Sequence, residues 1–136
     1  MEIQVKRKKI MLVDDDADLS ELVKMRLESA GFAVSYCSNG QQALDSIDEE
    51  HPDAIVLDME MPEKNGYTTL LELNKKFNSG GPEGVSAKIP IIVITGLSGT
   101  TIKDLVQSAG IYDFVRKPFS VTMLVDKINK ALEQKD

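Results

Sequence analysis

The chain has 136 residues, of which 28% are charged and 42% hydrophobic, and its formal net charge is −6. This size and composition predict one globular domain with a real core, and the acidic balance disfavours direct nucleic-acid binding, which depends on neutralising phosphates. Cys37 is the only cysteine, which excludes an internal disulfide, and no apolar run reaches the ~18 residues of a membrane span. We therefore expect a single cytoplasmic domain over residues 1–136, with a core at about 9–132 and a basic lead-in at 1–8.

The first half of the chain alternates twice between a short apolar run and a helical pattern. Residues 10–13 predict a strand, and a helix should follow, because apolar residues then recur at the spacing of one helical face. That stripe consists of Leu19, Leu22, Val23, Leu27 and Ala30. Asp18 with Glu21 predicts a capping box for this helix. Residues 32–36 predict a second strand, and a second helix with Ala43, Leu44 and Ile47 inward follows the Asn39-Gly40 turn.

The second half continues the alternation with three more units. Residues 54–57 predict the third strand and 67–77 the third helix, and the Gly-, Ser- and Pro-rich stretch 78–88 predicts the longest loop. Residues 91–94 and 114–115 predict the fourth and fifth strands. The stripes of the last two predicted helices are Ile102, Leu105, Val106 and Ala109, then Val121, Leu124, Val125, Ile128 and Leu132.

Five strand–helix units in alternation predict the fold class. Strands that are apolar on both faces lie between layers of helix in a parallel sheet, so we expect a three-layer α/β domain. Three sulfur-containing side chains, Met25, Cys37 and Met59, are predicted to pack in its interior.

Polar residues follow the predicted strands at the points where the strands end. Asp14 and Asp15 come after the first strand, Asp58 after the third, Thr95 after the fourth and Lys117 after the fifth. Because the carboxyl ends of parallel strands share one edge of the sheet, where ligands bind, these side chains should converge there.

The chemistry of this set indicates phosphoryl transfer. Two carboxylates ~4 Å apart repel by roughly 4 kcal/mol at an effective dielectric of 20, so three of them invite a cation. Oxygen ligands favour Mg²⁺, with Mn²⁺ as the alternative. Asp58 is then the predicted nucleophile, while Lys117 would neutralise charge and Thr95 would donate to a phosphoryl oxygen.

Five segments together resemble the receiver domain of two-component response regulators, in particular the stand-alone, chemotaxis-regulator-like type. They are Leu12–Asp16, Asn39–Leu44, Leu57–Pro62 with Gly66, Ile94–Gly96 and Lys117–Phe119. The resemblance runs in order from about residue 9 to residue 132. It implies a flavodoxin-like (βα)5 fold with strand order 2-1-3-4-5.

The resemblance also implies how the site works. Asp58 would take its phosphoryl group from a phosphohistidine of a sensor histidine kinase or a histidine phosphotransfer protein. Asp14, Asp15, Asp58 and the backbone carbonyl of Glu60 would bind Mg²⁺. The protein would then be a phosphoacceptor that catalyses only its own phosphorylation and dephosphorylation. The Lys117–Pro118 bond would be cis.

A switch is implied as well. Thr95 would move toward the phosphoryl oxygens and Phe114 would turn inward behind it. The predicted fourth helix, the fifth strand and the predicted fifth helix would then bind a downstream protein target. The protein would be a monomer that can dimerise on phosphorylation. The side chains two positions after Asp58 and Thr95, which are Glu60 and Leu97, would flank the acyl phosphate and tune its hydrolysis. Leu97 cannot orient a water, which predicts slow self-dephosphorylation.

Three alternatives compete with this interpretation. A Mg²⁺-dependent aspartyl-phosphate hydrolase acting on small phosphate esters would carry a second Asp where this chain has Glu60. A flavin-binding electron carrier of the same fold would need a hydroxyl-rich phosphate loop where three aspartates stand. A receiver that has lost phosphorylation would lack one of the key residues, and each of them is present.

Overall fold

The computed structural model describes residues 7–60, 66–78, 89–96 and 111–133. Five strands form one sheet, and every neighbouring pair is parallel. The strands are β1 (Lys9–Val13), β2 (Ala33–Cys37), β3 (Ala54–Asp58), β4 (Ile91–Thr95) and β5 (Asp113–Arg116). Their order across the sheet is β2-β1-β3-β4-β5, which confirms the expected topology.

Four helices are described, and they cover both faces of the sheet. They are α1 (Ala17–Ser29), α2 (Gly40–Glu50), α3 (Gly66–Asn78) and the C-terminal helix (Val121–Glu133). The predicted helix near 102–109 and most of the predicted loop at 78–88 lie outside the described residues. Within the described part of the chain, no helix combines the length and apolar character that crossing a membrane requires.

Alternate residues of each strand point to opposite faces of the sheet, which divides the core in two. One half packs Met11, Ile55 and Val93 with side chains of α2 and α3. The other half packs Leu12 and Ile92 with side chains of α1 and the C-terminal helix. The arrangement is helix, sheet and helix, as the strands with two apolar faces predict.

Helix α1 differs from its prediction at its start and along its apolar face. The helix begins at Ala17, and its N-cap is Asp16, whose Oδ1 accepts a hydrogen bond of 3.1 Å from the Leu19 amide. The capping box from Asp18 is therefore wrong. Leu22 and Met25 were also predicted to be buried, but they are 56% and 57% exposed.

The reason is that the buried face of α1 is narrow. Ser20, Val23 and Leu27 face the core, at the spacing of one helical face. Leu22 lies about 100° around the helix from Val23, which turns it toward solvent.

The remaining elements follow their predictions closely. Strand β2 begins and ends one residue later than predicted, and β3 and β4 each extend to include the polar residue that follows the apolar run. Cys37 and Met59 are buried, as expected. The C-terminal helix buries Leu124, Ile128 and Ala131, of which the alanine was not predicted.

Candidate functional site

The predicted site residues meet at the carboxyl edge of the sheet because the backbone ladder continues past the strand ends. The Asp14 amide donates to the Cys37 carbonyl at 3.1 Å, and the Lys117 amide donates to the Thr95 carbonyl at 2.9 Å. Next to Asp58, the Met59 amide donates to the Ile94 carbonyl at 2.9 Å. The turns that carry the polar side chains are thus held to the neighbouring strands.

Three carboxylates form a cluster at this edge. Asp14, Asp15 and Asp58 each offer an oxygen, and these oxygens lie within 4.8 Å of one another. Asp14 and Asp58 are only 4% and 3% exposed, whereas Asp15 is exposed.

Within this cluster, the ionised form of Asp14 is disfavoured. Burial raises the pKa of Asp14 to about 7, against a hydrogen bond from the Asp16 amide that lowers it, and the negative Asp58 raises it further. A buried carboxylate that is reluctant to ionise beside two others matches the donor set of a hard divalent cation. The residues present therefore fit Mg²⁺ or Mn²⁺.

Two backbone contacts orient Asp14. Its Oδ1 accepts from the Asp16 amide at 3.0 Å, and its carbonyl accepts from the Tyr36 hydroxyl at 2.7 Å. Sequence analysis missed Tyr36, whose place at the end of β2, next to β1, was the only signal for it.

Lys117 forms ion pairs with Asp58 and Glu60. Its Nζ is 3.0 Å from Asp58 Oδ1 and 3.6 Å from Glu60 Oε1. Burial lowers the pKa of Lys117, but the hydrogen bond and charge of Asp58, with the charge of Glu60, outweigh it and leave the pKa raised. The ammonium is therefore held in its charged form beside the Asp58 carboxylate. The Lys117–Pro118 peptide bond is cis, as the sequence resemblance implies.

Gly66 allows the start of α3 to approach the end of β3. Its amide donates to the Met59 carbonyl at 3.1 Å. A Cβ at this position would overlap Met59 Cα and would lie 2.5 Å from the Asp58 carbonyl oxygen. The absence of a side chain at residue 66 thus allows α3 to begin directly against the backbone that carries Asp58.

The side chain of Glu60 makes specific contacts within the site. Its Oε2 accepts from the Thr95 hydroxyl at 2.9 Å, and its Oε1 accepts from the Gly96 amide at 3.0 Å. The Glu60 amide donates to Asp58 Oδ1 at 3.0 Å. The resemblance implied that the Glu60 carbonyl binds the metal and that its side chain flanks the acyl phosphate, but the bonds to Thr95 and Gly96 were not predicted.

Phe114 lies apart from this cluster. It sits opposite Val93 in the sheet register, is half-buried, and packs against the core half that contains α2 and α3. Lys127 Nζ is 5.6 Å from the centre of the Phe114 ring and 3.0 Å from Asp113 Oδ2. Its predicted switch role stays a prediction, and Leu97 lies outside the described residues.

Comparison with known families settles the class of protein. Residues 10–129 match the family described as the response regulator receiver domain. The chain belongs to this family. It is thus a receiver domain of the kind found in two-component systems, and the resemblance noted in the sequence is confirmed.

Individual relatives agree with this assignment. The transcriptional regulatory protein CpxR of Escherichia coli (strain K12) is 36% identical over 126 residues, which cover 93% of this chain and 50% of CpxR. This receiver domain spans about half the length of the curated relatives that it matches.

Solved structures show the same fold. The receiver domain of the Francisella response regulator 1452 superposes with a TM-score of 0.83 at 26% identity, covering 96% of this chain and all of that one. The Vibrio cholerae chemotaxis protein CheY4, at 21% identity, has a TM-score of 0.80 and covers 93% of this chain and 99% of its own. At that identity CheY4 supports the fold alone.

Proposed function

We propose that this receiver domain accepts a phosphoryl group on Asp58 from a phosphohistidine of a sensor histidine kinase or a histidine phosphotransfer protein. The observation that carries the proposal is that the Asp58 carboxylate contacts the Lys117 ammonium and also belongs to the cluster formed with Asp14 and Asp15. A buried carboxylate that contacts an ammonium and belongs to a cluster fit for a divalent cation matches what phosphoryl transfer requires.

Asp14, Asp15 and Asp58, with the backbone carbonyl of Glu60, would hold Mg²⁺ or Mn²⁺, which when bound neutralises charge on the transferring group. The nucleophile and the other groups that stabilise charge are residues of this chain. A carboxylate oxygen of Asp58 attacks phosphorus, the phosphorus–nitrogen bond breaks, and its electron pair stays with the departing imidazole. The product is an acyl phosphate on Asp58.

Lys117 and Thr95 stabilise the charge that develops on the phosphoryl oxygens. Lys117 is protonated and already within 3.0 Å of Asp58, so it needs little movement to reach an oxygen of the incoming group. Thr95 is fully buried at the end of β4, and its hydroxyl points to the same side as the Lys117 ammonium, since both contact Glu60.

The acyl phosphate then acts as a switch. It adds about −1.5 to −2 charges and three acceptor oxygens at the end of the sheet. Thr95 and Phe114 would transmit this change to a surface that includes β5 and the C-terminal helix, where a downstream protein target would bind. The register places Phe114 two residues before the partner of Thr95 on the adjacent strand, which supports a short path between them.

Intact-mass measurement with a small acyl-phosphate donor tests the proposal. Wild-type protein should gain one phosphoryl group only when Mg²⁺ is present, and Asp58→Asn should gain none. Asp45→Asn, which removes an exposed carboxylate on α2, is the matched control and should behave like the wild type. Equal phosphorylation of wild type and Asp58→Asn would contradict the assignment of Asp58.

A further inference from the structure

The Glu60 carboxylate is bound by three donors at once. The Thr95 hydroxyl is 2.9 Å from Oε2, and the Gly96 amide is 3.0 Å from Oε1 and 3.2 Å from Oε2. The Lys117 ammonium is 3.6 Å from Oε1. One anionic group thus engages a hydroxyl, a backbone amide and an ammonium from two different strand ends.

These donors are of the kinds that an oxyanion on Asp58 would need. Phosphoryl transfer requires donors and cations aimed at the equatorial oxygens, and hydroxyl, backbone amide and ammonium groups all serve in that way. Lys117 contacts both Asp58 and Glu60, so the carboxylate of Glu60 lies next to the nucleophile.

We propose that the Glu60 carboxylate occupies the position of the phosphoryl oxygens in the unphosphorylated protein and that a phosphoryl donor must displace it. The proposal rests on the proposed function of Asp58 and adds a residue that sets how fast that function proceeds. The Thr95 hydroxyl has a single proton, so it donates to Glu60 or to a phosphoryl oxygen, but not to both.

Glu60 is able to leave this position. Its side chain is 43% exposed, so rotation moves the carboxylate into water without opening the core. Its backbone can stay in place meanwhile, since the Glu60 amide is bonded separately to Asp58 Oδ1 at 3.0 Å. Displacement therefore costs the contacts of the carboxylate and leaves the Asp58 turn intact.

Hydrogen–deuterium exchange of the Gly96 amide, followed by NMR, tests whether Glu60 holds this position. Gly96 is exposed, so its amide exchange should be slowed in the wild type chiefly by the bond to Glu60. Glu60→Ala should speed the exchange by about tenfold, and Glu60→Gln, which keeps an acceptor, by less. An exchange rate that is the same in all three proteins would overturn the inference.

Phosphorylation kinetics test the competition. The rate constant for uptake from a small acyl phosphate, plotted against donor concentration, should have a slope about three- to fivefold higher in Glu60→Gln than in the wild type. Glu49→Gln changes the net charge equally but lies at the far end of α2, beyond the opposite edge of the sheet, and should leave the slope unchanged.

The two measurements separate the inference from the function on which it rests. Faster Gly96 exchange together with an unchanged or lower slope in both Glu60 variants would overturn the competition. If the wild type and all variants stay unphosphorylated both with the acyl phosphate and with a phosphohistidine donor, the proposed function of Asp58 fails. The Gly96 exchange would still decide whether Glu60 holds this position.

Discussion

Asp14 is a residue whose charge works against the fold until a cation arrives. It is 4% exposed and lies within the cluster formed with Asp15 and Asp58. Burial raises its pKa from 3.8 to about 7, so the folded protein resists ionisation of a group that ionises readily in the unfolded chain. Sites that bind cations commonly accept such a cost, because binding removes it.

The destabilising effect of burying Asp14 should depend on pH. Between about pH 4 and pH 7 the folded state holds a proton on Asp14 that the unfolded state has lost, so the contribution of Asp14 to stability falls as pH rises. Without divalent cations at about pH 8, Asp14→Asn should therefore be more stable than the wild type, by on the order of 1–3 kcal/mol. Urea unfolding at several pH values measures the difference.

Below about pH 4 that difference should vanish, since Asp14 is then neutral in both states. Asp45→Asn provides the comparison for an exposed carboxylate and should show no such trend. A gain in Asp14→Asn that is the same at every pH would contradict the explanation by ionisation.

Gly66 gives a second prediction at the scale of one residue. In Gly66→Ala the new Cβ would overlap Met59 Cα and press on the Asp58 carbonyl, so we expect a loss of about 1–3 kcal/mol in unfolding free energy. Because the displaced backbone carries the proposed nucleophile, phosphoryl uptake should fall as well. Lys75→Ala, at an exposed position of the same helix, should change stability by less than about 0.5 kcal/mol.

Within a helix, adjacent side chains can differ greatly in their exposed fraction. Leu124 is completely buried in the C-terminal helix, while Met123 beside it is 53% exposed. Leu124→Ala should cost about 2–5 kcal/mol through lost burial and the cavity that remains, and Met123→Ala should cost less than about 0.5 kcal/mol. Chemical denaturation of both variants checks this, and similar losses would show that the helix packs with another face inward.

The same contrast shows what a sequence pattern can predict. Strands β1, β3 and β4 were predictable, because runs such as Ile91–Ile94 are apolar on both faces and are buried on both. The inward face of α1 was not, because it has apolar residues on more than one side. Leu22 and Val23 are both apolar, and only the way in which α1 packs against the rest of the domain decides which of them is covered.

The contacts of the functional residues also divide into those that the sequence predicts and those that it does not. Asp58 and Lys117 follow directly from strand ends that share one edge, so their proximity could be expected. The bonds of Glu60 could not, because they depend on the rotamer of a long side chain relative to a turn at Gly96. The contact of Tyr36 was not predictable either, since its hydroxyl donates to a backbone carbonyl, and that carbonyl carries no sequence signal.

Across the whole molecule, the strand order brings together groups that are far apart in the chain. Strands β1 and β3 are neighbours and supply the three carboxylates, so a cation bound there links the first and third strands. Lys117 reaches Asp58 from beyond β5, across the end of β4. The site therefore joins four of the five strands.

This arrangement predicts a strong effect of Mg²⁺ on global stability. At about one hundred times its dissociation constant, a ligand that binds only the folded state adds about 2.7 kcal/mol to the unfolding free energy. Thermal or urea unfolding of the wild type with and without Mg²⁺ should show such a gain. Asp15→Asn should show a smaller one, because Asp15 is an exposed member of the cluster and its loss removes a ligand without disturbing the core. An equal gain in both proteins would remove Asp15 from the metal site.

Asp58 and Lys117 are also made at different times during synthesis, because they are far apart in the chain. Synthesis adds about 5–20 residues per second, so Lys117 is made roughly 3–12 s after Asp58. During that interval Asp14, Asp15 and Asp58 exist without the ammonium that later balances them. Any early pairing of β1 with β3 in the growing chain must then rely on apolar contacts such as those of Leu12 and Val56, which face each other across the two strands. If the proposed function holds, a nascent chain would become able to accept a phosphoryl group only when the fifth strand joins the sheet and brings Lys117 to Asp58.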